Sequence, residues 1–178
     1  MPHDAKPASP IRFILGIDPG AHGALVLLDT LEPHTFCVWD MPTDDQGVNP
    51  TGLVRTMEDV VRTVANVSDD DRRIRAVVEN VGSRPRQAGA FAFGLYTGIL
   101  HGVLASFAIP FELVPPSMWK PAMGLRKLSD ETQAQNKDRA RMTATELFPQ
   151  YAHMFSRKKD DGRAEALLLA LYYHHKRK

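Results

Sequence analysis

Two acidic residues close two apolar runs in this sequence. Asp18 follows Phe13, Ile14, Leu15 and Ile17, and Glu79 follows Ile74, Ala76, Val77 and Val78. An acid at the end of a buried run is costly unless it is hydrated, paired or bound to a cation. Strand ends in open α/β sheets are also where sites tend to form. A third acidic group, Asp160, Asp161 and Glu165, opens the last apolar-periodic segment. Asp161 and Glu165 are four apart and share a face if both are helical. Asp160 joins Glu165 only if it lies before the helix begins. Acids favour a helix N-terminus in any case, so this group says little by itself. Carboxylates from three distant segments, taken together, suit hard divalent cations, and two such ions can clamp an in-line displacement at phosphorus.

Cationic residues surround these acids. Arg84 and Arg86 follow Glu79, and Lys120 follows Trp119. Lys137, Arg139 and Arg141 open a helical segment, and Arg157, Lys158, Lys159 and Arg163 flank the third acidic group. Cations interspersed with metal-binding carboxylates suit a phosphate backbone. Solubility alone accounts for the final Lys176-Arg177-Lys178. Trp119, Phe91, Phe93 and Tyr96 have faces on which bases can stack, although core packing explains most of them. The histidines offer no zinc spacing, and no Walker-type or Rossmann glycine pattern is present.

The elements that must position these groups are legible as runs and periods. Residues 12–17, 23–28 and 35–41 read as strands, the first two joined as an antiparallel hairpin through Asp18-Pro19-Gly20. From Leu53 to Val64 apolar residues recur at helical spacing. Residues 69–73 read as a solvated turn, 74–78 as a buried strand, and 82–89 as a Gly/Pro/Arg-rich loop. Residues 111–114 form a fifth strand, ended by Pro115-Pro116. A short helix over 117–124, a polar loop over 125–135, a helix capped by Asn136 and a last helix over 162–174 complete the order. That order is α/β with a mixed sheet.

Residues 89–111 hold no Asp, Glu, Lys or Arg over 23 positions, long enough to span a bilayer, with Gly94, Gly98 and Gly102 four apart. His101, Thr97, Ser106 and Pro110 interrupt the stretch, so a buried helix with a flat glycine stripe is the better account.

The chain has 178 residues, with 43% hydrophobic and 24% charged, which excludes a disordered or fibrous class. It reads as one domain over 11–178 behind a loose tail at 1–10. Net charge is +1, yet residues 1–89 carry 9 Lys and Arg against 13 Asp and Glu, whereas 90–178 carry 13 against 8. Such polarity can set an acidic site beside a basic surface. Cys37 is the single cysteine, which excludes an internal disulfide and fits a reducing interior, cytoplasmic or organellar rather than secreted.

Five blocks in order carry a resemblance. "FILGIDPGAHGALVLLD" resembles the first hairpin of the RuvC-type Holliday junction resolvases. "AVVENVGSRPRQAGAFAFGLYTGILHGVL" resembles their second acidic strand and following helix. "VPPSMWKPAMGL", "KDRARMTATELFP" and "RKKDDGRAEALLLA" follow, the last being closest to the phage and chloroplast branch. The resemblance implies a ribonuclease-H-like fold, with a five-stranded mixed sheet flanked by helices. It also implies a homodimer and Mg²⁺-dependent nicking of four-way DNA junctions, with Mn²⁺ an alternative metal. By that resemblance Asp18, Glu79, Asp160 and Glu165 hold two ions per site, with Asp161 ranked second to Asp160. Lys120 matches a basic residue near the scissile phosphate, and Lys137 a second lysine. The helix carrying Gly94, Gly98 and Gly102 matches the dimer interface. Two departures stand out: bacterial members space their last two acids three apart, and they carry an aromatic three residues after the Glu, where this chain has Gly82.

The reading is therefore an endonuclease that resolves four-way junctions by paired nicks. Its rivals are another ribonuclease-H-like nuclease acting on flap or branched DNA or RNA, and a small actin-like nucleotide-binding protein suggested by the "GIDPGAHGAL" turn.

Overall fold

The computed structural model describes residues 11–67, 73–80, 89–126, 129 and 132–177. The expected tail at 1–10, most of the turn at 69–73, and Gly82, Arg84, Arg86 and Lys178 lie outside the described residues.

A five-stranded sheet forms from β1 (Phe13–Asp18), β2 (Ala24–Asp29), β3 (Phe36–Asp40), β6 (Ile74–Glu79) and β7 (Phe111–Val114), in the order β3-β2-β1-β6-β7. The first three strands pair antiparallel, and β1–β6 and β6–β7 pair parallel. The expected five-stranded mixed sheet is thus present. A two-stranded ribbon, β4 (Thr43–Asp44) with β5 (Gly47–Val48), has no counterpart in the sequence reading, since each strand has only two residues and no period to read.

Two helical layers flank the sheet. On one face lie α1 (Pro50–Val67) and α2 (Ala90–Ser106), packed against Phe13, Leu15, Ile17, Ala76 and Val78. On the other lie α3 (Pro116–Ala122), α4 (Gln133–Leu147) and α5 (Asp161–Lys176), packed against Ile14, Val26 and Val77. Both strand faces are buried, which is why β1 and β2 read as continuous apolar runs rather than alternations. Short 3-10 segments, Pro149–Phe155 and Lys158–Asp160, lead into α5.

Helix α4 starts three residues before the expected Asn136 cap. Thr132 is the cap instead: its hydroxyl accepts from the Gln135 N–H while Gln135 bonds back to the Thr132 N–H. This reciprocal box satisfies two orphan donors at once and wins over a lone Asn.

Helix α2 departs from the buried-helix expectation. Only Leu100, Val103 and Leu104 are fully buried, and Phe91 is 85% exposed. Side chains built at Gly94, Gly98 or Gly102 would meet nothing within 4 Å, so the stripe does not serve packing on this chain's own sheet. Among the described residues no helix is long and apolar enough to cross a membrane.

Candidate active site

The two strand-end acids stand side by side because of register. Gly16 pairs with Val77 and Ile17 with Val78, so Asp18 and Glu79 fall on the next rung of the parallel ladder. Ile14 and Val77 face the α5 layer, and a strand alternates with period two, so Asp18 and Glu79 face it as well.

Helix α5 brings the third group to them, and its approach depends on missing side chains. A Cβ on Gly16 would fall 2.2 Å from the Ala166 carbonyl oxygen, and one on Gly162 would fall 2.3 Å from the His22 carbonyl oxygen. The helix therefore lies directly on β1 and on the β1–β2 turn. Asp161 and Glu165, one turn apart, are then set beside Asp18, whose ionisation both of them oppose. Neither glycine stood out in the sequence, because tertiary approach leaves no periodic mark.

Helix α3 closes the cluster. The Lys120 ammonium lies 2.9 Å from Glu165 Oε1 and 3.5 Å from Glu79 Oε1. The indole N–H of Trp119 donates to the same Glu79 oxygen at 3.1 Å. Trp119 is fully buried, so core packing accounts for its ring, but its polar edge belongs to the site. The backbone N–H of Gly20 donates to Asp18 Oδ1 at 3.2 Å.

Excess negative charge in a desolvated place perturbs these groups. Burial raises the Asp18 carboxyl to about 6, helped by the charge of Glu165 and opposed by the Gly20 N–H and Lys120. Burial likewise raises Glu79 to about 7 against the pull of Lys120, with Glu165 and Asp18 adding to the rise. Burial alone would lower Lys120, but Glu165, Glu79 and Asp18 outweigh it and hold the ammonium above its ordinary value. Groups shifted this way and gathered in one place make this cluster a candidate functional site.

Asp160 has a different setting from the one expected. Its carboxylate, 1% exposed, accepts from the Arg157 backbone N–H at 2.8 Å and from the Arg157 guanidinium at 2.8 Å, with Arg163 3.8 Å away. Burial would raise its pKa, but these arginine contacts more than offset that and hold it below the ordinary range. Both oxygens of Asp160 are thus engaged by the turn that starts α5, while Asp161 is the neighbour that acts on Asp18. Asp160, the acid ranked first by sequence, is thus the one held by arginine, and Asp161 the one whose charge reaches Asp18.

The basic residues divide in the same manner. Lys158 and Lys159 are exposed. Arg163 is tied to Asp40 at 2.5 and 2.6 Å, joining the end of β3 to α5. Arg157 is half exposed while holding Asp160. Arg141 pairs with Asp138. Lys137 lies on α4.

Among the described residues, no three carboxylate, imidazole or thiol groups are gathered closely enough to enclose a metal ion. The donor chemistry nevertheless fits a hard divalent cation: every donor is a carboxylate oxygen, the acids outnumber the one lysine, and burial penalises their charge. The ammonium of Lys120 stands between Glu79 and Glu165 in the position of a counter-cation.

Comparison with solved structures agrees with this architecture. A T. thermophilus RuvC in complex with Holliday junction substrate is 18% identical at a TM-score of 0.52, covering 93% of this chain and 94% of that one. This chain has the ribonuclease-H-like fold of RuvC. A second Thermus thermophilus RuvC structure is 16% identical at a TM-score of 0.51, covering 93% and 95% of the two chains. A yeast mitochondrial Holliday junction resolvase is 18% identical at a TM-score of 0.46, covering 93% and 80%. No protein-family model matches the sequence, and no curated protein matches it.

Proposed function

We propose that this protein is a structure-selective DNA endonuclease that resolves four-way junctions by paired nicks, a hydrolase of phosphodiester bonds. The observation that carries the reading is the meeting of Asp18, Glu79 and Glu165 around Lys120 at the strand ends of a RuvC-like sheet. The ordered sequence blocks support it, and the "RKKDDGRAEALLLA" segment supports the phage and chloroplast branch.

Asp18, Glu79, Glu165 and Asp161 are the residues to hold divalent cations, Mg²⁺ or Mn²⁺, with Asp160 retained as a buttress. When bound, such cations supply charge neutralisation at the phosphodiester and a more acidic water for in-line attack. Lys120 faces the same space and offsets charge developing on the phosphoryl oxygens. The exposed Lys158 and Lys159, with the half-exposed Arg157, suit contact with the backbone phosphates. Arg84, Arg86 and Lys137 are further candidates for that contact by sequence.

Two nicks on opposite arms call for two sites, and α2 offers a surface for pairing. Gly94, Gly98 and Gly102 lie open, and Phe91 and Leu95 flank them as exposed apolar residues. A second copy crossing there would bury this face in an isologous dimer.

The test is nicking of a labelled, mobile four-way junction with Mg²⁺, beside linear duplex, flap substrates and a Glu79→Gln control. Symmetric nicks on the junction alone, lost in EDTA and in the variant, are expected. Equal cutting of linear duplex, or full activity in Glu79→Gln, would overturn the reading. Nucleotide binding without DNA binding would favour the actin-like rival.

A further inference from the structure

Helix α3 delivers two consecutive residues to one oxygen. Trp119 Nε1 donates to Glu79 Oε1 at 3.1 Å, and Lys120 Nζ lies 3.5 Å from that same atom. Among the described residues, Oε2 of Glu79 accepts no hydrogen bond. The Trp119 ring is fully buried in the core beneath α5, where it cannot swing, and the ammonium of Lys120 lies 5.2 Å over it. Prolines frame the helix: Pro115 is the extended cap, Pro116 opens the first turn and Pro121 lies within it. A proline-framed turn anchored by a buried indole is a stiff platform.

A glutamate has several rotatable bonds, so a strand end alone does not fix its head. A buried indole N–H, in turn, requires an acceptor. Each group answers the other's need.

We propose that Trp119 is a positioning residue: its indole N–H holds Glu79 by Oε1, so that Oε2 is the atom presented to the phosphodiester chemistry. This rests on the reading of Glu79 under the proposed function. The division of labour differs from that of Lys120, which also touches Glu165 and faces the substrate space. Among the described residues the Trp119 indole N–H donates to Glu79 alone, and it acts through that carboxylate. Misplacing a reacting group by about 1 Å can cost ~10²-fold in rate, and loss of one of two tethers falls below that limit.

Two measurements test it together. Trp39 and Trp119 are the two tryptophans, so a ¹⁵N-labelled sample gives two indole N–H resonances. Trp39→Phe assigns them without touching the site. At pH 8 without metal, Glu79→Gln is expected to shift the Trp119 resonance upfield and leave that of Trp39 in place. Trp119→Phe keeps a ring and deletes the donor. It is expected to lower kcat for junction nicking ~10-fold while KM for the junction stays within ~2-fold. An unmoved Trp119 resonance in Glu79→Gln, or a wild-type kcat in folded Trp119→Phe, overturns the proposal. The resonance test needs no turnover and uses the intact core, so it stands even if Trp119→Phe does not fold. If the wild-type protein cuts no junction, the endonuclease reading fails, and the resonance decides the Trp119–Glu79 link alone.

Discussion

The ammonium of Lys120 lies 2.9 Å from Glu165 Oε1, and through this contact the last helix is tied to the short helix after β7. One cation answers carboxylates that come from β6 and α5, while Asp18 on β1 feels the same charge. Lys120→Met should therefore act on both fold and chemistry. Without metal it should lose about 1–3 kcal/mol in denaturant unfolding, less than a fully buried pair because Lys120 is partly exposed. Junction nicking should fall ~10²-fold or more, in line with loss of a charge stabiliser. Unchanged stability and unchanged nicking would remove Lys120 from the site.

The raised carboxyls set a pH signature. Asp18 at about 6 and Glu79 at about 7 keep protons in the folded protein that the unfolded chain releases nearer pH 4. Between those values the native state binds more protons, so stability falls as pH rises, by on the order of a few kcal/mol across both groups. In EDTA the melting temperature of the wild type should drop relative to Glu79→Gln between about pH 4 and pH 7. Parallel curves for the two proteins would show that Glu79 does not titrate there.

Adjacent acids should give different phenotypes. Asp160→Asn removes the charge that Arg157 answers and should lower the denaturation midpoint. That contribution is present above the ordinary Asp value and is lost as pH falls through the lowered one. Asp161→Asn should reduce nicking ~10²-fold. Denaturation and single-turnover assays on the two variants separate the roles, and equal effects would contradict them.

The open glycine stripe of α2 predicts association. Gly98→Glu should turn a dimer into a monomer in sedimentation at micromolar protein while the chain still folds, since a side chain there meets nothing within 4 Å in the single chain. A wild type that already sediments as a monomer would remove the stripe from any interface.

Much of this arrangement can be read along the chain. Buried runs at β1, β2 and β6, each ending in turn chemistry or an acid, mark the strands directly, and the period of Leu53, Met57, Val60 and Val64 marks α1. The acids at Asp18, Glu79 and Glu165 are visible by type and position. What is not visible is which oxygen each neighbour takes. Asp160 and Asp161 have the same chemistry one residue apart, and only the reach of Arg157 separates them. Trp119 reads as core or as a stacking platform, because a sequence does not show where an indole N–H points. The glycines of α2 read as a packing stripe, whereas Gly16 and Gly162, which are crowded in fact, sit singly in apolar or charged surroundings.

That crowding has a consequence for how the protein opens. With α5 seated on bare backbone at Gly16 and against His22 and Gly23, its first turns have no slack in which to fray. Local opening there would have to lift Ala166 and Ala170 off the central strand, which dismantles the core. Amide hydrogens around Glu165 should therefore exchange only through global unfolding, at the slowest rate in the chain. The acids of α5 would then share the lifetime of the whole fold, and heating would inactivate and unfold the protein in one step.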